Sequence, residues 1–232
     1  MTVADRAHVR LCTWNVHSGI GPDGQYDLER IIALVRRHDP DIVALQEIDS
    51  RGRGGPLPLD RLKAVLGPHT AQAKTIVAED GDYGHVLISR WPIDNVTLHD
   101  LSIGKREPRC LIEATISTPH GALTVAAAHL GFHLSEIHRQ LAKMAAITQN
   151  GIDRFVLIGD FNDWHRQVRR RLSRLGFAGT SLNTFPAAKP LLPLDRIFCR
   201  PGTALINCWT DRLGRHASDH LPVFADLQTI AG

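Results

Sequence analysis

The chain has 232 residues, 43% of them hydrophobic, with 27 Lys and Arg against 24 Asp and Glu and a formal net charge of +3. That is enough for one large α/β domain with a sizeable core, and the charge and apolar content are those of an ordinary globular protein. They exclude a helical membrane span, since no apolar run is long enough, and they argue against a dedicated duplex-binding domain, which carries a stronger basic stripe.

Met1 to Arg10 is polar, with Asp5, Arg6, His8 and Arg10, and lacks the apolar core of a signal peptide. The four cysteines, Cys12, Cys110, Cys199 and Cys208, sit in strand-like runs at scattered spacings and read as buried thiols, not as a disulfide framework or a zinc site. A cytoplasmic location is the expectation. Repeats, low-complexity tracts and long linkers are missing, so residues 1–232 are expected to form a single catalytic domain. Nothing in the sequence implies a protein partner or stable membrane insertion.

In chain order, strand-like runs fall near 9–15, 42–47, 84–89, 95–101, 110–117, 122–129, 154–159, 195–199, 204–209 and 222–228. Helical patterns fall near 27–38, 58–66, 134–149 and 164–175. In the third, Ile137, Leu141, Met144, Ala145 and Thr148 recur at helical spacing, while Glu136, Arg139, Gln140 and Lys143 are expected to face away. Thr118-Pro119-His120-Gly121 joins two alternating runs and reads as a hairpin turn. Two Gly- or Pro-rich loops, His17 to Gln25 and Ser50 to Pro58 with Arg51 and Arg53, follow strands that carry polar clusters and are expected to face a substrate. Many strands with a few helices suggest stacked sheets flanked by helices.

Four of the strands end in polar residues. Leu11-Cys12-Thr13-Trp14 leads to Asn15, and Asp41-Ile42-Val43-Ala44-Leu45-Gln46 leads to Glu47. Phe155-Val156-Leu157-Ile158-Gly159 delivers Asp160 and Asn162, which point the same way if the backbone stays extended. Ser218-Asp219-His220 precedes the last apolar run. Each alone reads equally well as a cap or a turn. Together they form an oxygen-rich set without Cys, which suits Mg²⁺ or Mn²⁺. Glu47 is the expected primary ligand, with Asn15, Asp219, Asp160 and Asn162 around it.

On these blocks the sequence resembles the endonuclease/exonuclease/phosphatase superfamily, the DNase I-like fold. The matching residues are Trp14-Asn15, Gln46-Glu47, Tyr83-Gly84, Arg109, His129-Leu130, Gly159-Asp160-Phe161-Asn162, Leu194-Asp195-Arg196-Ile197 and Ser218-Asp219-His220, in the family's order. The stretches His129 to Gln140 and Thr184 to Ile197 are similar to a mostly uncharacterised bacterial subgroup. The resemblance implies a four-layer α/β/β/α sandwich. One position departs: relatives often carry Asn after the Tyr-Gly, and here it is His85, which reads as a strand residue.

The resemblance also implies a metal-dependent phosphoesterase acting on a phosphodiester in a nucleic acid, a phospholipid or a small molecule. A phosphomonoesterase or a dedicated DNA nuclease is the alternative, and a non-catalytic binding module is the least favoured reading. Asp195 is implied to orient His220, and either His220 or Asp160 would be the general base. Asn162 and His129 would stabilise the phosphoryl charge, with His129 also able to protonate the leaving oxygen, and Arg109 would clamp a nonbridging oxygen. Trp164 reads as a core aromatic at a helix start, with stacking on a base or a lipid glycerol as the alternative. Arg166 and Arg169-Arg170-Arg171 read as a solvated helix face or a phosphate-binding patch. The Pro- and Leu-rich Thr184–Leu194 loop, with a single Lys189, favours a compact or acyl-bearing diester over extended duplex DNA.

Overall fold

The computed structural model describes residues 8–52, 58–148, 154–201 and 204–228. Arg53 and the rest of its glycine-rich loop tip, like Met1 to Ala7, lie outside them. The strands are β1 (His8–Asn15), β2 (Ile42–Asp49), β3 (His69–Ala78), β4 (Gly81–Ser89), β5 (Ile93–Asp100), β6 (Cys110–Thr118), β7 (Gly121–His129), β8 (Phe155–Asp160), β9 (Ala178–Gly179), β10 (Asp195–Arg200), β11 (Leu205–Thr210) and β12 (Val223–Gln228). The α-helices are α1 (Leu28–His38), α2 (Pro58–Leu66), α3 (Leu134–Thr148) and α4 (Gln167–Arg174).

The strands form two six-stranded sheets, ordered β11-β12-β1-β2-β4-β3 and β5-β6-β7-β8-β10-β9. The β1–β2 and β7–β8 pairs are parallel and the other pairs antiparallel. Side-chain alternation then builds three apolar layers. Leu11, Ile42, Ala44, Leu87, Val125, Ala127, Val156, Ile158 and Ile197 fill the seam between the sheets. Cys12, Trp14, Val43, Leu45, Val86 and Ile88 point outward onto Ile31, Ile32 and Val35 of α1 and Leu62 of α2. Ala126, Ala128, Phe155, Leu157 and Phe198 meet Ile137, Leu141 and Met144 of α3 and Val168 and Leu172 of α4. The result is the expected α/β/β/α sandwich. Among the described residues no helix is long and apolar enough to cross a membrane.

Local signals fix the helix ends. Asp27 accepts from the Glu29 and Arg30 amides and starts α1. Asp163 is buried and accepts from the Val168 and Arg169 amides, so it caps α4 just past the Asp160–Asn162 motif. The Thr118–Gly121 hairpin forms as expected.

Three expectations need correction. Glu136 and Gln140 do not face away from α3: both are buried, because the Gln140 amide holds the loop before the helix, accepting from Gly131 N and donating to the Leu101 carbonyl. All four cysteines are free, but only Cys12 and Cys199 are fully buried: Cys208 lies on the edge strand β11, and Cys110 is the first residue of β6. Trp164 is 40% exposed, because α4 begins three residues later and Val168 and Leu172 take the core positions.

Candidate active site

The seam between the sheets is apolar along its length and polar at one end. Thr13 and Asn15 of β1, His129 of β7, Asp160 of β8 and Asp195 of β10 continue the alternation that points Leu11, Val125, Val156 and Ile197 inward, so all five face the same gap. The strand register reinforces this, pairing His129 with Asp160 and Asp160 with Asp195.

Glu47 reaches the gap by a different route. Alternation along β2 would send it to the helix side with Val43 and Leu45. Instead the β2–β4 register shifts between Leu45 and Ile48, and Glu47 takes a left-handed backbone with φ of 61°. This bulge returns Ile48 to the helix-side core and turns the Glu47 carboxylate inward. A left-handed glutamate is an uncommon conformation that costs on the order of 1 kcal/mol, of the kind that clusters at functional sites. Asn162 is also left-handed, with φ of 47°. At Gly159 a Cβ would collide with the Ala128 carbonyl, so only glycine lets β8 lie this close to β7.

The polar groups form one network. Asn15 Nδ2 donates to Glu47 Oε1 at 2.8 Å and to Asp160 Oδ2 at 3.0 Å, and its backbone amide donates to Asp195 Oδ1 at 3.0 Å. Asn15 therefore ties the two sheets together at the site, and its Oδ1 accepts from the His17 amide at 3.1 Å. Asp160 Oδ1 accepts from Asn162 N at 2.9 Å, while the Asn162 side chain donates to the Leu130 carbonyl at 2.8 Å. His220 Nδ1 meets Asp195 Oδ2 at 2.7 Å, and its loop is tethered by Trp14 Nε1 on the His220 carbonyl and by Ser218 Oγ on the Asn15 carbonyl. Asp219, half-exposed, lies at the rim.

His129 has its tautomer set by a neighbour. Arg109 Nη1 lies 2.9 Å from His129 Nδ1, and a guanidinium can only donate, so Nδ1 is the acceptor and Nε2 carries the hydrogen. That Nε2 is buried without a hydrogen-bond partner, 3.6 Å from Asp160 Oδ2 and 3.9 Å from Glu47 Oε1. Arg109 itself is 3% exposed and its Nη1 also meets Glu107 at 3.1 Å. The sequence reading gave Arg109 as a clamp on a nonbridging oxygen; in the structure its Nη1 is bonded to His129 Nδ1.

The electrostatics divide the groups. Burial raises the Glu47 carboxyl above its usual range, only partly offset by Asn15 and nearby histidines. Asp160 is raised as well, chiefly by burial and then by the Asp195 charge, against the pull of His220. Burial works against a charged His220, but Asp195, Asp160 and Asp219 together outweigh it and lift its pKa to about 10. His129 is pushed well below the ordinary histidine value, first by burial and then by Arg109. Among the described residues no Lys or Arg pairs with Glu47 or Asp160. Asp160, Asp195 and His220 bring one ligand atom each within 4.8 Å of one another, a group that could hold a metal ion.

The sequence reading named His17 only as the start of a substrate-facing loop; its Nδ1 lies 3.8 Å from Glu47 Oε2 and 3.6 Å from Asp219 Oδ1. His17 lies past the end of β1, in a short 3-10 turn, so strand parity could not flag it. Phe185, which the sequence reading did not single out, lies 4.8 Å from the His220 ring and 5.7 Å from Trp164 and forms an aromatic wall beside the site.

The model of the endonuclease/exonuclease/phosphatase family matches residues 12–220, from β1 to His220. The chain belongs to that family. Among its relatives, the uncharacterized protein YbhP of Escherichia coli strain K12 is 29% identical over 244 residues, covering 94% of this chain and 95% of YbhP. A solved endonuclease/exonuclease/phosphatase from Beutenbergia cavernae superposes with a TM-score of 0.79 at 26% identity, over 97% of this chain and 72% of that one. The 3′ phosphatase NExo from Neisseria, solved bound to a product DNA hairpin, shares the fold with a TM-score of 0.69 at 21% identity, over 94% of this chain and 99% of its own.

Proposed function

We propose that the chain is a Mg²⁺- or Mn²⁺-dependent phosphoesterase that hydrolyses a phosphodiester, working in the cytoplasm. The observation that carries this reading is the convergence of Glu47, Asp160, Asn15, His129 and the His220–Asp195 pair at the polar end of the seam. The donor set fits a divalent cation. Glu47 is a largely buried carboxylate with a raised pKa and, among the described residues, no Lys or Arg to balance it. A dication beside it would supply the missing charge. Glu47, Asp219 and Asp160 would hold the ion, and Asn15 would position Glu47 and Asp160 for it. When bound, the ion would neutralise charge building on the phosphoryl oxygens.

The chain's own groups would do the rest. His220, kept protonated by Asp195, would bind a nonbridging phosphoryl oxygen as a cation. Asp160, raised by burial, would take the proton of the attacking water, which favours it over His220 as the base. His129 Nε2–H, neutral and unpartnered, would donate to the phosphoryl group in the transition state and would not act as a proton-transferring acid. Asn162 would hold Asp160 through its backbone amide. Arg109 would act on His129 and not on substrate.

The rim supports a compact substrate. Phe132, Trp164 and Leu191 are exposed around the mouth, while Arg51 is already bound to Asp49. Among the described residues, that leaves few free cations at the rim to track a duplex backbone. An activity screen with Mg²⁺ and Mn²⁺ over bis-p-nitrophenyl phosphate, phospholipids, RNA, plasmid DNA and abasic DNA tests the assignment. Hydrolysis of a diester with either ion supports it, and inactivity on every phosphoester defeats it.

A further inference from the structure

Helix α4 carries a charged stripe outside the catalytic network. Gln167, Arg170, Arg171 and Arg174 are spaced i, i+3, i+4 and i+7, which puts them on one face, while Val168 and Leu172 turn away from them into the core. The stripe forms one wall of a groove whose other wall includes His138 and Leu141 of α3. No carboxylate lines this groove. Among the described residues, Arg170, Arg171 and Arg174 are exposed and make no ion pair. Arg170 and Arg174 stand at i, i+4, a like-charge spacing that weakens a helix unless an anion offsets it.

Apolar side chains continue the groove toward the mouth of the site. Both helices start at that end of the sheet, α3 just after His129 and α4 just after the Asp160–Asn162 motif. Leu134, one turn before His138 on the same face of α3, is exposed, and so is Trp164 just before α4. Phe132 and Leu191 are exposed at the mouth itself. A polyanion such as nucleic acid would engage the arginines and leave Leu134 and Leu191 in water. An anionic phospholipid surface engages both sets: headgroups pair with the arginines, and the apolar side chains enter the boundary between headgroups and acyl chains.

We propose that the α3–α4 groove and the apolar side chains beside it dock the protein peripherally on an anionic phospholipid surface, with the mouth of the site turned toward the lipid. Docking is a binding event and does not depend on the hydrolysis proposed above. Diesters free in solution, or dispersed in neutral detergent, present no charged surface, so their turnover keeps a shallow salt slope.

The test uses the full chain in wild-type, Arg170→Gln/Arg171→Gln and Leu134→Ser forms, with far-UV circular dichroism and the melting temperature as checks of folding. Co-sedimentation reads binding to vesicles of equal parts phosphatidylglycerol and phosphatidylcholine, and to vesicles of phosphatidylcholine alone. The wild type should bind the mixed vesicles, bind the neutral ones far more weakly, and be released by added salt. A basic side chain near an anionic surface contributes about fivefold, so the double arginine variant should bind the mixed vesicles on the order of twentyfold more weakly. Leu134→Ser should weaken binding while leaving its salt dependence in place. Equal binding to both vesicle types, or mixed-vesicle binding unchanged in the double arginine variant, overturns the docking surface. Failure of the wild type to bind the mixed vesicles overturns it too, and an oligonucleotide that then binds through Arg170 and Arg171 would make the groove a nucleic-acid surface instead. Turnover of bis-p-nitrophenyl phosphate, measured in parallel, keeps the two proposals apart: vesicle binding without phosphoester hydrolysis leaves docking standing and defeats the phosphoesterase reading.

Discussion

His220 Nδ1 sits 2.7 Å from Asp195 Oδ2 and 4.0 Å from Asp160 Oδ2, so one imidazole stands before two carboxylates that are direct partners on neighbouring strands. Asp195 takes the hydrogen bond and Asp160 feels only the charge. The two acids therefore have different work despite equivalent places on the sheet. His220→Ala and Asp195→Asn should each lower turnover by on the order of a thousandfold, and the double variant should lose little more than the worse single one. Steady-state kinetics on bis-p-nitrophenyl phosphate reads this, and fully additive losses would show that the pair does not act as a unit.

Glu47→Gln should keep the fold and lose the metal. The buried carboxylate is only partly compensated in the free protein, by Asn15 and nearby histidines, so neutralising it should leave the melting temperature of the apoprotein unchanged or higher. The rise in melting temperature on adding Mn²⁺ to the wild type should vanish in the variant. A variant that is still stabilised by Mn²⁺ as strongly as the wild type would move the site elsewhere.

Arg109 should matter through His129. Arg109→Met should lower kcat by about tenfold to a hundredfold with little change in KM, and Arg109→Lys, which can still donate, should recover part of the loss. Nitrogen NMR should show the His129 Nε2–H tautomer in the wild type and its loss in Arg109→Met. A rise in KM with kcat intact would instead favour the phosphate clamp that the sequence suggested.

His85 links stability to pH. It is buried in β4, and burial lowers its pKa to about 4, with the Arg109 charge acting in the same direction against a bond to the Ala127 backbone. Its folded pKa lies below the unfolded value near 6.5, so the unfolded chain binds the proton first as pH falls. The contribution of His85 is full above about pH 6.5 and declines toward about pH 4, by up to roughly 3 kcal/mol. His129 adds to the loss in the same direction. His85→Asn should flatten this decline in denaturant titrations between pH 7 and pH 4, and an unchanged slope would show that His85 is not the group responsible.

Much of the fold could be read from the sequence because alternation and helical spacing are strong wherever a face is apolar. Helix 58–66 and the hairpin at Thr118–Gly121 sit where the pattern placed them. β3 escaped notice because its inward residues are Ala71 and Ala73, which carry little apolar signal, and it lies at a sheet edge. The inward placement of Asn15, Asp160 and His129 follows from parity with their apolar neighbours. Glu47 does not: a bulge with a left-handed residue has no local signature in Leu45-Gln46-Glu47-Ile48, and parity alone sends the side chain to the wrong face. The partners of Arg109 were equally hidden, since its contact with His129 joins the residue before β6 to the end of β7.

Substrate choice should appear in salt dependence. Arg51 is spent on Asp49, and the remaining cluster, Arg170, Arg171 and Arg174, lines a groove between α3 and α4 with His138. Catalytic efficiency should be higher on a small or phospholipid diester than on plasmid DNA, with a shallow salt slope on both. Efficient duplex cleavage with a steep salt slope, reduced by Arg170→Gln and Arg171→Gln, would establish the nuclease reading.

The most direct test of the central claim is the turnover of bis-p-nitrophenyl phosphate by chelator-treated protein as Mg²⁺ or Mn²⁺ is titrated back, in the wild type and in Glu47→Gln. A shared site at the polar end of the seam predicts no turnover without metal, saturable recovery in the wild type, and none in Glu47→Gln at the same concentrations. Hydrolysis that survives chelation, or recovers equally in Glu47→Gln, would contradict it.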